Sequence, residues 1–290
     1  MKALWVVFCC LALAACDAGS TASSATPVSV TGNLLRPADL NGLVLQVPDQ
    51  TAVYANSSQL GHPDGAGSYA QGQTQISFDG AGNVTISSAG STPQVLSWDD
   101  SQGAYVGQGQ VLFSGITTID TTVMMTFYDD PAKPGIYIWK FVSINLPTSP
   151  SFQGVGYTAF TENPTPGANL PTSGKPTYSG TVEATDQALA TADGTIRLTA
   201  NLAKAIISGT ITLDDGTAFG ATSFGIAKAT INKSAGSTGF SSTLTSSDVS
   251  VSGSGVSGTF SGTTGKDVVG GFYVNDAKGD GLAGAYSAGQ

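Results

Sequence analysis

The chain has 290 residues, and its composition excludes several kinds of protein. It carries 20 acidic and 11 basic side chains, a formal net charge of −9, and only 11% of its residues are charged. A chain this acidic is a poor candidate for contact with nucleic acid or with an anionic membrane. Glycine, serine, threonine and alanine are abundant and helix-period segments are rare, which indicates an all-β protein with one large or two small domains.

The N-terminus has the pattern of a bacterial lipoprotein signal. Met1-Lys2 is a short basic start, an apolar run continues to about Ala12, and Leu13-Ala14-Ala15-Cys16 matches a lipobox. We predict that residues 1–15 are a signal peptide, removed after the Cys16 thiol takes a diacylglyceryl group, and that the new amino terminus is then acylated. Several acyl chains on one residue hold a protein stably to a lipid bilayer. The alternative is an ordinary secretory signal.

The cysteine content agrees with this prediction. All three cysteines (Cys9, Cys10, Cys16) lie inside the signal or at its edge. The mature protein would keep only the lipidated one, so disulfides and cysteine nucleophiles are excluded. Asp17 follows directly, and in enteric bacteria an aspartate there tends to keep lipoproteins in the inner membrane, which leaves that location open. Residues 16–31 are rich in serine, threonine and alanine and are predicted to be a flexible tether.

Three hairpins are predicted in the next segment, residues 32–165. In the first, a Gly-containing turn at Asp79–Gly82 joins two strands of alternating character, Thr74–Phe78 and Asn83–Ser87. The other two pair Gln94–Trp98 with Ala104–Phe113, and Val123–Tyr128 with Gly135–Asn145.

The third hairpin is the most apolar part of the mature chain. Its large side chains are Met124, Met125, Phe127, Tyr137, Trp139 and Phe141. Period-2 alternation puts Tyr137, Trp139 and Phe141 on one face and Lys140 on the other, so we predict that Lys140 marks the wetter face and that the aromatic face packs in the core. The alternative is a partner-binding surface, because aromatic residues and methionine are enriched at interface centres.

A proline-rich segment, Glu162–Pro171, is predicted to link this domain to a second one, residues 166–290. Eight candidate strands follow, at Tyr178–Ala184, Thr195–Ala200, Ala205–Leu213, Gly225–Asn232, Phe240–Thr245, Gly255–Gly262, Val268–Val274 and Leu282–Ser287. Eight is the number at which a closed barrel is filled by its own side chains. The predicted fold is therefore all-β, with an eight-stranded antiparallel barrel after an N-terminal β-rich domain.

A glycine–aromatic repeat supports the barrel. Phe260, Phe272 and Tyr286 each come two residues after a glycine, so their rings would point to the same face of a sheet. A glycine beside each ring leaves space for the ring to lie flat, as a small and tightly curved barrel requires.

These segments resemble the barrel domain of transferrin-binding protein B and its relatives. Leu170–Gly180 (LPTSGKPTYSG) looks like the start of that domain. Gly258–Phe272 (GTFSGTTGKDVVGGF) looks like its closing signature, and Gly284-Ala285-Tyr286 looks like its final strand. The resemblance covers about residues 157 to 290.

The resemblance implies that residues 32–165 form a handle domain, mostly β with a minor α+β part, and that the chain holds one handle–barrel pair. Members of the family are lipoproteins, commonly displayed on the outer membrane with the help of a dedicated translocator. We therefore expect a cell-surface lipoprotein that binds a host or environmental iron or haem protein through loops of the handle and the handle-facing barrel rim. The transferrin receptor has two such pairs, so transferrin itself is not the expected ligand.

The chain has one histidine, His62, in a predicted loop beside Pro63. It could be an axial ligand of haem, or it could be a solvated turn residue. No cofactor is expected apart from this haem hypothesis.

We predict no enzyme activity. A lone loop histidine supports no Ser-His-Asp set. The pairs Asp99-Asp100, Asp129-Asp130 and Asp214-Asp215 fall at predicted hairpin tips, where aspartate supports turns. Asp276–Gly281 is similar to a calcium loop, but Lys278 stands where an oxygen ligand is required, so it is predicted to be a plain turn. The predicted function is non-catalytic binding, and the alternative is a structural envelope lipoprotein with no dedicated ligand.

Overall fold

A computed structural model of the chain describes residues 33–47, 50–55, 65–69, 74–87, 93–111, 119–129, 133, 135–144 and 153–290. Within these ranges the protein is almost entirely β, which confirms the predicted fold class. The helical elements there are α1 (Pro37–Leu40) and a 3₁₀ turn at Leu202–Lys204. The strands form two antiparallel sheets, which we call the N-terminal and the C-terminal sheet.

The N-terminal sheet is built from β1 (Val44–Val47), β2 (Gln50–Ala55), β3 (Gly65–Tyr69), β4 (Thr74–Phe78), β5 (Asn83–Ser87), β6 (Gln94–Asp99), β7 (Ala104–Val111), β8 (Ile119–Asp129), β9 (Ile136–Ile144) and β10 (Gln153–Thr161). Their order across the sheet is β1-β4-β5-β6-β7-β8-β9-β10-β2-β3. Pairing of β4 with β5, β6 with β7 and β8 with β9 confirms the three predicted hairpins.

The N-terminal sheet curls around an aromatic core. Alternation in β4 buries Ile76 and Phe78, and the Phe78 ring meets that of Phe127 edge to face at a centroid distance of 4.9 Å. Tyr105 joins the same cluster, and burial raises the pKa of its phenol to about 12. Leu40, fully buried at the end of α1, closes one end of this core.

The C-terminal sheet is built from β11 (Thr177–Asp186), β12 (Thr191–Asn201), β13 (Ile206–Leu213), β14 (Thr222–Thr230), β15 (Asn232–Lys233), β16 (Thr238–Ser242), β17 (Leu244–Thr245), β18 (Val251–Ser261), β19 (Asp267–Asp276) and β20 (Gly281–Gly289). Each of the eight predicted strands corresponds to one of these strands or, for Phe240–Thr245, to β16 and β17 together. The order is β15-β16-β18-β19-β20-β11-β12-β13-β14-β17.

This sheet closes into a barrel through the segment 238–245. Its first half, β16, pairs with β18, and its second half, β17, pairs with β14. Between them the Ala227 amide donates to the Thr243 carbonyl at 3.2 Å, and the Ser242 hydroxyl donates to the Ala227 carbonyl at 2.8 Å. The two halves count as one strand in the ring, so the predicted eight-stranded barrel is confirmed, and closure removes its free edges.

The glycine–aromatic repeat faces the barrel interior, as predicted. Phe260, Phe272 and Tyr286 are fully buried in one core cluster. A Cβ on Gly284 would lie 2.7 Å from the Phe272 ring, so only glycine leaves room for that ring. The Tyr286 hydroxyl donates to the Ser257 carbonyl at 2.8 Å, which satisfies its buried oxygen.

The predicted linker is irregular but tightly held. The Thr165 amide donates to the Phe260 carbonyl at 2.8 Å, and Leu170 is buried in the barrel core. The segment therefore lies across one end of the barrel and seals it.

The two sheets pack side by side. Ile136 and Ile138 of β9, with Tyr157 and its neighbours on β10, meet Val269 of β19 and Ala285 of β20 in a buried apolar cluster. The N-terminal sheet thus covers the outer wall of the barrel at β19 and β20. Within the described residues, the N-terminal sheet does not face an end of the barrel. The expectation that a barrel rim faces the N-terminal domain is therefore wrong, because the outer surface of β19 and β20 faces it.

Candidate functional site

Neither of the two predicted site residues can be placed. Cys16 and His62 both lie outside the described residues. Lipidation of Cys16 and haem ligation by His62 therefore stay predictions.

Of the three acidic pairs, Asp99-Asp100 is shown to support its turn, as predicted. In the β6–β7 turn the Asp99 carboxylate accepts hydrogen bonds from Ser101 and from the Gln102 side chain. These bonds, the Ser101 hydroxyl first, lower the pKa of Asp99. Asp129 accepts from the Asn33 amide at 2.9 Å, while its neighbour Asp130 lies outside the described residues.

Asp276 also acts within its own turn. Its Oδ1 accepts from the amides of Lys278 at 2.8 Å and Asp280 at 2.9 Å, in the connection between β19 and β20. The Asp276 carboxylate thus accepts backbone hydrogen bonds within its own turn, as aspartate commonly does in turns. Within the described part of the chain no set of three or more His, Cys, Asp or Glu side chains is arranged to hold a metal ion.

Strand direction gathers most of the barrel's acidic residues at one end. Antiparallel strands send alternate connections to opposite ends, so the β11–β12, β13–β14, β17–β18 and β19–β20 connections share one end. The carboxylates at this end are Asp186, Asp193, Asp214, Asp215, Asp248, Asp276 and Asp280, and we call this set the acidic rim. Among the described residues, Lys278 is the basic residue in those connections.

Hydrogen bonds join the turns of the acidic rim to one another. Asp186 Oδ1 accepts from the amides of Ala188 and Ala190 in its own turn, and its Oδ2 accepts from the Ala218 amide of the β13–β14 turn at 2.7 Å. The Gln187 side-chain amide donates to Asp280 Oδ1 at 3.0 Å and so joins the β19–β20 turn. Three turns are thereby fixed relative to one another before any ligand binds.

Asp193 lies partly buried and close to a second carboxylate, Asp214. Partial burial, followed by the negative charge of Asp214, raises the pKa of Asp193. Like charges on neighbouring turns give the rim a negative field that would attract a cationic surface.

An open groove of about 710 Å³ lies beside the rim at the β17–β18 connection. It is lined by the residues from Thr243 to Ser254, most of which are serine and threonine. Asp248 is exposed at its edge, where it accepts from the Ser247 hydroxyl at 3.0 Å. The groove offers hydroxyl groups and a carboxylate, which suit a polar ligand surface.

A buried ion pair lies close to the rim, between the sheets. Lys140 Nζ on β9 is 3.6 Å from Glu183 Oε1 on β11, and Glu183 is 7% exposed. Lys140 also lies over the Tyr157 ring, 5.2 Å from its centroid, and the Tyr157 hydroxyl bonds to that of Thr185. The prediction that Lys140 marks a wet face is therefore wrong, because that face of β9 packs on the barrel.

Burial sets the protonation behaviour of this pair. Burial raises the pKa of the Glu183 carboxyl, and attraction to Lys140 offsets only part of that rise. For Lys140, burial alone would lower the pKa, but Tyr157 and Glu183 outweigh it and the net direction is upward. The opposite face of β9 holds Tyr137, whose ring stacks on Phe160 in the N-terminal core, as predicted; Trp139 and Phe141 have no described side chains.

The fold and the rim define a two-sheet, all-β protein whose closed barrel carries its charged turns at the ends. No known family profile matches the sequence, and no curated protein sequence is similar to it. No helix in the described ranges combines the length and apolar character needed to cross a bilayer.

Solved structures similar to the chain include several of transferrin-binding protein B. For a double mutant of this vaccine antigen from Haemophilus parasuis Hp5, the identity is 13% and the TM-score 0.45, over 84% of this chain and 45% of that one. For intact Ap-TbpB, with N and C lobes, the identity is 12% and the TM-score 0.40, over 75% and 54%. For the isotype 1 protein of serogroup B Neisseria meningitidis, the identity is 13% and the TM-score 0.37, over 81% of this chain and 54% of that one.

The chain thus spans about half the length of these structures. The resemblance predicted from the sequence motifs is confirmed as a similarity to transferrin-binding protein B structures. The fold itself is established by the strand pairing described above.

Proposed function

We propose that the chain is a membrane-anchored bacterial lipoprotein that binds a protein or an iron- or haem-containing ligand through loops and carries out no catalysis. The observation that carries this proposal is the acidic rim, where Asp186 and Gln187 fix the turns while Asp214, Asp215 and Asp248 remain exposed. Loops positioned by a rigid scaffold are the usual place for binding residues.

The charge of the rim favours a partner with a cationic surface. Complementary charge speeds the encounter of two proteins and makes the association rate sensitive to salt. Haem proteins with basic surfaces, and other iron proteins of that kind, are the partners that fit both this charge and the resemblance to transferrin-binding protein B.

The remaining parts of the proposal concern the position of the protein in the cell. Residues 1–15 would be the signal peptide, 16–31 the tether, 32–165 the handle-like domain and 166–290 the barrel domain. Acyl chains on Cys16 would hold the protein to the outer membrane, and a translocator would display it on the cell surface. Asp17 would instead favour the inner membrane if the enteric retention rule applies.

The binding experiment uses the full chain immobilised on a sensor, with haemoglobin and haemin as probes. We expect haemoglobin to bind, and neutralising three exposed rim residues (Asp214→Asn, Asp215→Asn, Asp248→Asn) to slow association about tenfold or more at low salt. The matched control neutralises three exposed lysines of the opposite barrel end (Lys204→Gln, Lys233→Gln, Lys266→Gln) and should leave the rate at or above that of the unchanged protein.

Two outcomes would count against the proposal. Equal rates for the rim variant and the unchanged protein would exclude the rim as the binding surface. If neither haemoglobin nor haemin binds, the result would instead favour a structural envelope lipoprotein with no dedicated ligand.

The haem hypothesis has a separate test. If His62 ligates haem, haemin added to the full chain should give a Soret band that His62→Ala abolishes. A band that survives this substitution, or no band at all, would leave His62 as a turn residue.

A further inference from the structure

The barrel end opposite the acidic rim carries the opposite charge. The connections at this end include the segment before β11, the 3₁₀ turn after β12, the β14–β16 connection and the β18–β19 turn. Its basic residues are Lys175, Lys204, Lys228, Lys233 and Lys266, and we call this set the basic end. In the described barrel residues, Asp267 is the acidic residue near them.

All five lysines are available to a partner. Each is exposed, and within the described part of the chain none of them forms an ion pair. Four of them come from different connections around the ring, and Lys228 lies near the end of β14. The positive charge therefore covers the end of the barrel and not one side of it. The net charge of the whole chain argues against an anionic surface, but within the barrel the two signs of charge lie at opposite ends.

The described chain begins at this same end. Asn33 accepts from the Asp129 amide at 3.2 Å, and Leu34 bridges to Tyr128, at the last residues of β8. β10, which lies on the far side of β9 from β8, ends at Thr161, whose hydroxyl is 2.6 Å from that of Ser261 at the end of β18. The residues from Cys16 to Asn33 span at most about 60 Å, so a lipid anchor on Cys16 would allow this end of the protein to contact the membrane.

We propose that the basic end docks on the anionic phospholipid headgroups of the membrane that holds Cys16. The inference rests on the lipid anchor of the proposed function and does not depend on what the acidic rim binds. Clusters of four to eight basic residues next to an anchor are of the size that binds anionic headgroups. Docking would turn the acidic rim away from the bilayer, toward partners in solution.

The N-terminal sheet limits how the protein can dock. Its turns at the corresponding end carry Asp79, Asp99, Asp100, Asp129 and Glu162, with Asp39 in α1, against Arg36 and Lys133. Anionic headgroups would repel this part, because it has more acidic than basic side chains. The contact is therefore one-sided, with the barrel end on the bilayer and the end of the N-terminal sheet tilted away from it.

The test is amine footprinting of the full lipidated protein in vesicles. We compare vesicles of phosphatidylcholine with vesicles that also contain about 30% phosphatidylglycerol, at low salt and at about 0.5 M salt. Acetylation of Lys204, Lys233 and Lys266 should be about fivefold slower in the anionic vesicles at low salt and should recover at high salt. Lys278, on the acidic rim, is the internal control and should change little.

A second variant keeps the test independent of any single lysine. Replacing Lys204, Lys233 and Lys266 by glutamine, all in exposed connections, should remove the protection of Lys175 and Lys228. Equal labelling in both kinds of vesicle, or protection of Lys278 as strong as that of the basic end, would overturn the proposal. Protection produced by free inorganic phosphate would also overturn it, because it would indicate a small-anion site.

The anchor itself is checked on the same sample. An intact mass without acyl chains on Cys16 would overturn the docking proposal at its premise. Ligand binding at the acidic rim would not be affected by that result, so the two proposals can fail separately.

Discussion

The barrel has two walls that meet different surroundings. On the open wall, β12 and β13, the outward side chains of β12 include Thr195, Arg197 and Thr199, all exposed. On the covered wall, β19 and β20, the outward side chains of β20 are Ala283, Ala285 and Ser287, all buried beneath the N-terminal sheet. Small outward residues let a second sheet approach, and this approach buries β20 on both of its faces.

The difference shows how one sheet can hold two kinds of sequence. The open wall alternates between apolar and polar residues, with Ile196, Leu198 and Ala200 inward. The covered wall has lost that alternation, since residues 281–288 are all buried. In this barrel, a strand rich in alanine and glycine that lacks alternation of apolar and polar residues indicates that a second sheet covers its outer face.

The largest expected effect is a charge placed under the covered wall. Ala285→Arg would put a long cation into the apolar cluster around Ile138 and Tyr157, so we expect the free energy of unfolding to fall by about 3–5 kcal/mol. The matched control, Thr195→Arg on the open wall, should change it by less than about 0.5 kcal/mol. Urea unfolding of both variants measures the contrast, and equal losses would contradict the distinction between the walls.

A smaller and pH-dependent effect is expected at the ion pair that borders the covered wall. Lys140→Met leaves the buried Glu183 carboxylate without its cation, which should cost about 2–3 kcal/mol near pH 7. Burial raises the folded-state pKa of Glu183, so the carboxyl becomes neutral as the pH falls through that raised value. The loss should therefore shrink toward about pH 4.

Urea unfolding across that pH range checks the sign. Stability linked to a carboxyl with a raised pKa is present at low pH and is lost as the pH rises through the folded-state value. A loss in Lys140→Met that stays constant from about pH 7 to about pH 4 would show that the charge of Glu183 is not the cause.

The smallest of the three effects concerns the outer strand of the N-terminal sheet. Asn275 of β19 donates to the Ala66 carbonyl and accepts from the Ala66 amide, both at 2.8 Å, and so satisfies the free edge of β3. Asn275→Ala should cost about 1–2 kcal/mol through the loss of these two bonds. Asn232→Ala, at an exposed position, is the control and should be nearly neutral in the same unfolding assay.

Much of the barrel could be predicted from sequence because each strand has its own turn signal. Gly–aromatic spacing also placed Phe260, Phe272 and Tyr286 on one inner face. The distribution of charge between the two barrel ends also follows from the order of the predicted strands, because alternate connections lie at opposite ends. It is recognised only when each turn has been assigned to one of the two ends.

The arrangement of the two sheets could not be predicted in the same way. Alternation in β9 shows that Lys140 and Tyr137 point to opposite faces, but it does not show that Glu183 of another sheet covers the lysine face. The ion pair depends on a contact between strands that are distant in sequence, and no local pattern encodes such a contact.

The barrel is closed by a short seam. Segment 238–245 shares four residue pairs with β18 but only two with β14, whereas β19 and β20 share nine. Backbone amides on this seam should exchange with solvent deuterium sooner than those of β19 and β20, because local opening begins where few bonds must break. The barrel would then open locally at segment 238–245 while the rest of the sheet stays paired. This opening would occur next to the groove at the acidic rim.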